Sequence, residues 1–175
     1  IDRRVAVVSS TKDTRYDPSA TRLRAHDDAV GADGGIARMG VECTPLEKLR
    51  SFDIPAATDI DVVAIDEGSL FVDLHAGVAR LLAAGKTVVA TMLSGDYMQQ
   101  PINGTTLADM VALASTVTTL KALCADCRDG TPAPFTARLA ACRSDETIVV
   151  AGASVYRAVC GKCLEHGRGV DNIYK

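Results

Sequence analysis

Two adjacent carboxylates, Asp66 and Glu67, follow a short apolar run and are suited to metal binding and proton transfer. The run Val62–Ile65 shows no alternation, which indicates a central strand of a parallel sheet that is covered on both faces. In open α/β sheets, ligands bind beyond the carboxyl ends of the strands. Many proteins that transfer phosphoryl groups hold magnesium with an aspartate placed in this way. A strand that simply ends at a solvent-exposed turn is the alternative, and this stretch alone favours neither interpretation.

Four of the six cysteines form two C-x2-C pairs: Cys124 with Cys127, and Cys160 with Cys163. Each pair presents two thiolates on one side of a tight turn, and two such turns supply the four soft ligands of a structural zinc ion. Two disulfides are the alternative, yet nothing else in the sequence is typical of a secreted protein. We therefore predict structural zinc, and we expect Cys43 and Cys142 to be ordinary apolar residues.

The composition indicates an intracellular globular protein. The chain has 175 residues and a formal net charge of −3, enough for one domain or for one domain with a small appendage. No basic stripe suggests a nucleic acid or an anionic membrane as a partner. No apolar run approaches the roughly 20 residues that are needed to cross a bilayer.

The chain around the carboxylates alternates between predicted strands and helices. Apolar runs predict strands over residues 5–9 and 87–93, beside the strand that precedes Asp66. The polar loop after the first of these leaves the same edge of the sheet as Asp66 if the strands are parallel. Residues 44–47 (T-P-L-E) form a helix-start pattern, which predicts a short helix to about residue 52.

Helical periodicity and β-propensity place the remaining elements. Asp73 can cap a helix with one apolar face, composed of Leu74, Val78, Leu81 and Leu82. A second helix is expected over residues 107–115, and β-branched residues predict a strand over residues 116–122. Further strands are predicted at residues 132–138 and 147–150. The order of strand, helix and strand predicts a parallel α/β sheet with flanking helices.

Six stretches in a fixed order carry a resemblance to a known family. They are K-D-T-R-Y (residues 12–16), I-D-E-G-S-L-F-V-D (65–73), A-G-K-T-V-V-A (84–90), L-S-G-D-Y-M-Q-Q-P-I (93–102), L-K-A-L-C-A-D-C (120–127) and V-V-A-G-A-S-V-Y-R-A-V-C-G-K-C (149–163). With their spacing and the two cysteine pairs, the chain resembles the type II, zinc-containing thymidine kinases over nearly its whole length.

The resemblance implies roles for the charged residues. Glu67 would be the general base that takes the proton from the 5′-hydroxyl of thymidine. Asp66 would hold the Mg²⁺ that accompanies ATP, and Asp13, Arg15 and Arg138 would lie at the phosphate site. These roles suit phosphoryl transfer, which depends on positioning, charge neutralisation and a carboxylate beside the nucleophile.

The resemblance also implies a nucleoside site and a domain division. The nucleoside-binding residues would be Leu70, Leu93, Tyr97, Ile102, Thr136, Val149, Gly152 and Tyr156. Residues 149–156 would form a lasso whose backbone reads the edge of the thymine ring. The implied fold is a P-loop-kinase-like α/β core over residues 1–120 with a zinc-binding lasso domain over residues 121–175.

As a family member, the protein is expected to phosphorylate thymidine, and deoxyuridine as well, in the salvage of deoxynucleotides for DNA synthesis. The resemblance further implies a cytoplasmic homotetramer that dTTP inhibits, with no nucleic-acid or membrane partner.

Two departures from the family pattern concern specificity and the phosphate site. Ser69, Leu70 and Ile102 stand where aromatic residues or glutamine are usual, which leaves the nucleoside preference open. The family opens with a strand, a phosphate-binding loop and a helix, and no G-x-x-x-x-G-K-[ST] sequence occurs among these 175 residues. We expect these residues to be a truncated part of an active kinase. The alternative is a degenerate domain without a phosphate loop that binds a nucleoside or nucleotide, or only supports a partner.

Overall fold

The computed structural model describes residues 3–13, 22–23, 41–139, 149 and 155–167. The chain forms two compact units. The first comprises Ile1–Leu93 with Asn103–Thr105, and the second comprises Ser94–Ile102 with Thr106–Lys175. None of the helices in the described ranges has both the length and the apolar character needed to cross a membrane. The predicted division into an α/β core (residues 1–120) and a zinc-binding lasso domain (residues 121–175) stays a prediction.

A four-stranded parallel sheet forms the centre of the first unit, as the apolar runs predicted. The first unit contains strands β1 (Val5–Ser10), β2 (Arg22–Leu23), β3 (Val41–Glu42), β4 (Thr44–Leu46), β5 (Val62–Ile65) and β6 (Thr87–Ala90). The sheet has the order β4-β1-β5-β6, while β2 and β3 pair separately as an antiparallel ribbon. Val8, Val63 and Ile65 are almost completely buried in this sheet. The α/β class is therefore confirmed, and β5 is a central strand.

Helix α1 (Leu74–Ala83) connects β5 to β6 and lies where the periodicity predicted it. Leu74, Val78 and Leu81 are buried, but Leu82 is 38% exposed and does not belong to the buried face. Its place is taken by Gly77, which lies against Leu49 so closely that a Cβ atom there would come within 2.7 Å of the leucine side chain. The buried stripe is as wide as predicted but is shifted towards the side of the helix that packs against Leu49 of a short 3₁₀ helix.

The predicted helix over residues 44–52 is wrong. Thr44–Leu46 is a strand that pairs in parallel with β1, and only Leu49–Ser51 forms a 3₁₀ helix. Asp73 stands at the N-cap of α1 but makes no capping bond with that helix. Its carboxylate instead accepts hydrogen bonds from the backbone amides of Leu49 and Arg50, at 2.9 and 3.0 Å. At residues 44–47 the parallel pairing with β1 has overridden the local helix-start pattern.

The second unit consists of short elements around a small core. These are α2 (Leu107–Leu113), β7 (Ala122–Leu123), β8 (Pro132–Ala133), β9 (Phe135–Arg138), β10 (Tyr156–Val159) and α3 (Gly161–Gly167). Strands β7 and β8 form one antiparallel pair, and β9 and β10 form another. One cluster of buried residues comprises Cys124, Ala133, Val159, Cys160 and Leu164. Thr106 is the N-cap of helix α2 and forms a capping box with Asp109.

The strand predicted over residues 116–122 is mostly wrong, since only Ala122 of that range belongs to a strand. Residues 115–123 are exposed, and Leu120 is 88% exposed. Residues 116–121 therefore have β-propensity but no described neighbouring strand to pair with. The strand predicted at 132–138 is present in two parts, β8 and β9. The one predicted at 147–150 lies, apart from Val149, outside the described residues, as does Cys142.

Candidate functional site

The two carboxylates lie at the carboxyl edge of the parallel sheet, directly after β5. The amide of Asp66 donates a hydrogen bond to the carbonyl of Val8 on β1 (2.9 Å), so the sheet pairing continues to that residue. Asp13 follows β1 in a turn that is closed by its amide and the carbonyl of Ser10 (2.9 Å). Because β1 and β5 are parallel neighbours, both strands deliver acidic residues to one edge of the sheet.

Glu67 adopts a left-handed backbone conformation, with φ 49° and ψ 45°. This conformation turns the chain abruptly from β5 into the 3₁₀ helix Gly68–Leu70. Gly68 has little room for a side chain, because a Cβ atom there would lie only 3.0 Å from the carbonyl oxygen of Thr91. For a non-glycine residue the left-handed geometry costs about 1–2 kcal/mol, and such strain is concentrated at functional sites.

Thr91 follows β6 at the same edge and contacts both acidic residues. Its hydroxyl oxygen lies 3.1 Å from Oδ1 of Asp66 and 3.3 Å from the amide nitrogen of Glu67. No pattern in the sequence singled out this residue. The signal that could have found it is its position directly after an apolar strand that neighbours β5, since such positions share one edge of a parallel sheet.

The segment after Glu67 is fastened to the chain beyond β6. The Ser69 hydroxyl accepts a hydrogen bond from the amide of Leu93 (2.8 Å), and the Asn103 side-chain amide donates to the carbonyl of Ser69 (2.8 Å). Leu70, predicted to face the nucleoside, is buried, whereas Leu93 is 51% exposed. The two hydrogen bonds of Ser69 hold the backbone beside Leu70 and Leu93, the two residues predicted to contact the nucleoside.

The four predicted zinc ligands lie together in the second unit. The sulfur atoms of Cys124, Cys127, Cys160 and Cys163 all lie within 4.8 Å of one another. Cys127 has its Sγ atom 3.5 Å from that of Cys163 and 3.7 Å from that of Cys160. A tetrahedral zinc ion with bonds of about 2.3 Å requires sulfur atoms about 3.8 Å apart. None of the four forms a disulfide. The cluster can therefore hold a metal ion such as zinc.

Backbone amides favour the thiolate form of Cys124. Amides of Cys127 and Cys160 directed at the Cys124 sulfur lower the pKa of this thiol to about 6, and the Cys160 amide lies 3.3 Å away. The pKa of Cys163 is raised instead, because its thiol is hydrogen-bonded to Cys127 and Cys160. A depressed pKa favours the thiolate, which is the form that binds metals.

An aromatic and cationic cluster forms a second feature of this unit. The ring of Tyr97 lies 6.5 Å from that of Tyr156, centroid to centroid, and the Arg138 guanidinium carbon lies 5.1 Å from the Tyr97 ring centroid. The Tyr156 hydroxyl accepts a hydrogen bond from the amide of Val149 (3.2 Å). Thr136 lies two residues before Arg138 on β9, so both side chains project from one face of that strand. Arg138 and Tyr156, which are both predicted to bind ligands, thus lie beside Tyr97.

Other predicted site residues are placed only in part. Ile102 is buried in the second unit. Arg15 and Gly152 lie outside the described residues.

Known proteins match this chain over most of its length. A family model described as thymidine kinase matches residues 1–164. The chain is 34% identical over 165 residues to thymidine kinase a of Arabidopsis thaliana, covering 91% of this chain and 62% of that protein. It is 35% identical over 163 residues to a thymidine kinase of Oryza sativa subsp. japonica (90% and 54%), and 32% identical over 159 residues to that of rabbit fibroma virus (90% and 77%).

The chain therefore spans little more than half the length of its plant relatives. The match nevertheless includes both acidic residues after β5 and all four cysteines of the metal cluster. On these matches, the chain belongs to the thymidine kinase family.

Proposed function

We propose that this protein transfers the γ-phosphate of ATP to the 5′-hydroxyl of thymidine. The observation that carries the proposal is the Asp66–Glu67 pair, which stands at the carboxyl edge of a parallel sheet in a chain of the thymidine kinase family. Family membership supports a phosphotransferase, and the carboxylates supply the groups that such a transfer requires.

In the proposed mechanism, Glu67 is the general base. Its carboxylate accepts the proton from the 5′-hydroxyl as that oxygen attacks the γ-phosphorus, and the ADP oxygen leaves on the opposite side. The left-handed turn at Glu67 supports this role, because it directs the chain sharply away from the sheet edge directly after the carboxylate pair.

Asp66 is the proposed ligand of the Mg²⁺ ion that accompanies ATP. Oxygen ligands at the end of a central strand suit this hard cation. Bound there, magnesium would neutralise charge on the ATP phosphates. Asp13, Arg15 and Arg138 are proposed to contribute to the phosphate site. For Arg138, the contact with the Tyr97 ring supports a position at the boundary of the nucleoside and phosphate groups.

The nucleoside is proposed to be bound by apolar and aromatic residues together with lasso backbone. The hydrogen bond from the Val149 amide to the Tyr156 hydroxyl supports the proposed lasso, because it joins the two residues that would begin and end it. The set comprises Leu70, Leu93, Tyr97, Ile102, Thr136, Val149, Gly152 and Tyr156. We propose structural zinc for the four-cysteine cluster, since all four ligands come from protein and leave no open position.

The remaining proposals follow from family membership alone. They are the division into a core (residues 1–120) and a lasso domain (residues 121–175), acceptance of deoxyuridine, a role in nucleotide salvage, a homotetramer, inhibition by dTTP, and a cytoplasmic location.

The test is phosphate transfer by the full-length polypeptide from γ-labelled ATP to a panel of nucleosides. Thymidine should be labelled at the 5′-position, deoxyuridine should also react, and deoxycytidine and deoxyadenosine should remain unlabelled. Asp66→Asn should reduce the rate by about 10² or more. The assignment would be refuted if all four nucleosides were labelled equally, or if none of them was labelled.

A second candidate is a nucleoside-binding domain that does not transfer phosphate. The observation that favours it is the Tyr97–Arg138–Tyr156 cluster, which offers aromatic rings and a cation to a nucleoside and requires no phosphate donor. Thymidine binding by calorimetry, combined with no transfer from ATP by the full-length polypeptide, would establish this candidate over the kinase.

A further inference from the structure

We infer that Thr91 is a positioning residue for the acidic pair, acting on both carboxylate-bearing residues through one hydroxyl group. The inference rests on the proposed function and adds to it a residue outside the acidic pair. Thr91 follows β6 and belongs to the first unit, as do Asp66 and Glu67.

The Thr91 hydroxyl is placed to donate one hydrogen bond and to accept another. Its oxygen lies 3.1 Å from Oδ1 of Asp66 and 3.5 Å from the carbonyl oxygen of Ile65. A hydroxyl has one proton, and the carboxylate is both nearer and charged, so the proton is directed to Asp66. The amide of Glu67 donates to the same oxygen at 3.3 Å.

The backbone of Thr91 is held independently of its side chain. Its amide donates to the carbonyl of Ile65 (2.9 Å), and its carbonyl accepts from the amide of Gly68 (2.7 Å). Removing the hydroxyl therefore leaves the chain path of residue 91 in place. The contact with the Asp66 carboxylate is made by the side-chain oxygen of Thr91.

The two bonds have different consequences for the pair. The bond to Oδ1 restricts rotation of the Asp66 carboxylate and thereby fixes the direction of its other oxygen, the atom that would be free to hold magnesium in the proposed mechanism. The bond from the Glu67 amide stabilises the left-handed turn at that residue. Without the hydroxyl, both carboxylates sample more orientations, and misplacement of catalytic groups slows the chemical step more than it weakens binding.

The experiment compares Thr91→Val, Thr91→Ser and Thr87→Val in the full-length polypeptide. Valine matches threonine in shape but lacks the hydroxyl, whereas serine retains it. Thr87 is the first residue of β6 and Thr91 is the first residue after it, so Thr87→Val makes the same chemical change away from the acidic pair. We expect Thr91→Val to lower kcat about tenfold with the KM for thymidine unchanged. Thr91→Ser and Thr87→Val should stay close to wild type.

Amide hydrogen exchange provides a readout besides activity. The Glu67 amide loses its acceptor in Thr91→Val and should exchange faster there than in wild type, while Thr91→Ser retains protection. The Gly68 amide, bonded to the Thr91 carbonyl, should be unaffected in both variants and serves as an internal reference. The inference would be overturned if Thr91→Val had both the wild-type kcat and the wild-type exchange rate of the Glu67 amide. It would also be overturned if Thr91→Ser failed to retain the wild-type value of either quantity.

Failure of the inference is distinguishable from failure of the proposed function. If Asp66→Asn abolishes transfer while Thr91→Val retains the wild-type rate, the kinase assignment stands and the role of Thr91 is rejected. If wild type transfers no phosphate to thymidine, the proposed function fails and the positioning role for that reaction falls with it.

Discussion

At the residue scale, Glu67 combines an acidic side chain with a backbone conformation that side-chain-bearing residues rarely adopt. Glycine at this position would be unstrained but would supply no carboxylate. The neighbouring Gly68 is constrained differently, since a Cβ atom there would lie only 3.0 Å from the Thr91 carbonyl oxygen. In the proposed mechanism residue 67 has to carry a carboxylate, whereas the close approach of the Thr91 carbonyl favours glycine at residue 68.

Replacing Glu67 with glycine should stabilise the fold while removing activity. Relief of the left-handed strain should raise the free energy of unfolding by about 0.5–1 kcal/mol after the larger chain entropy of glycine is included. Urea unfolding measures the change. Glu67→Ala is the control, because it removes the carboxylate but retains Cβ and the strain. Equal stability of the glycine and alanine variants would show that the backbone of residue 67 is not strained.

Much of the acidic edge could be predicted from residue types. An apolar run followed by Asp66 and Glu67 predicted a buried strand that ends in carboxylates, and the structure places β5 there. Thr91 could not be predicted in the same way, because a single threonine after a strand has no distinctive pattern. Its role depends on the register that pairs Ile65 with Ala90.

At the scale of elements, α1 is fastened to the segment 49–52 by three kinds of contact. Leu49 packs on Gly77, the Asp73 carboxylate accepts from the Leu49 amide, and Arg80 donates to the carbonyls of Arg50 and Phe52 at 3.1 and 3.0 Å. This arrangement fixes the helix that follows the acidic pair after the 3₁₀ helix Gly68–Leu70.

Gly77→Ala should therefore destabilise the protein, although alanine is the better helix former. The added Cβ atom would meet the Leu49 side chain at 2.7 Å, and such overpacking costs about 1–3 kcal/mol, against a propensity gain of up to about 1 kcal/mol. Thermal unfolding should show a lower Tm. His75→Ala, at an exposed position of the same helix, should leave Tm almost unchanged. A Gly77→Ala variant as stable as wild type would contradict this packing.

Local sequence predicted elements well where the hydrophobic pattern was clear and poorly where tertiary contacts overrode the local pattern. The strands β1, β5 and β6 and the helix α1 follow from apolar runs and helical spacing. The helix-start pattern at residues 44–47 failed because β1 recruits Thr44–Leu46 as a parallel strand. A pattern read along the chain carries no information about which distant strand will compete for the same residues.

At the scale of the whole molecule, the four cysteines connect two distant stretches of the second unit. Cys124 and Cys127 follow β7, whereas Cys160 and Cys163 lie after β10 and in α3. The core between them is small, with Cys124, Ala133, Val159, Cys160 and Leu164 buried. A metal ion is expected to contribute much of the stability of so small a core.

Removing the metal should loosen the second unit selectively. Protein purified without chelator should contain about one zinc ion per chain. After chelation, amides of β9 and β10 should lose hydrogen-exchange protection, while those of β1 and β5 retain it. Cys127→Ser should lower the metal content, and Cys43→Ala, at a buried cysteine outside the cluster, should not. Full protection of β9 and β10 in metal-free protein would contradict a structural role for the metal.

The most direct test of the central claim is the rate of thymidine 5′-monophosphate formation by Glu67→Gln, with thymidine binding measured on the same samples. Glutamine preserves the size of the side chain and the backbone strain but cannot accept the proton. We predict that kcat falls by about 10² or more, while the Kd for thymidine changes less than about threefold. Wild-type turnover by this variant would contradict the assignment of Glu67 as the general base.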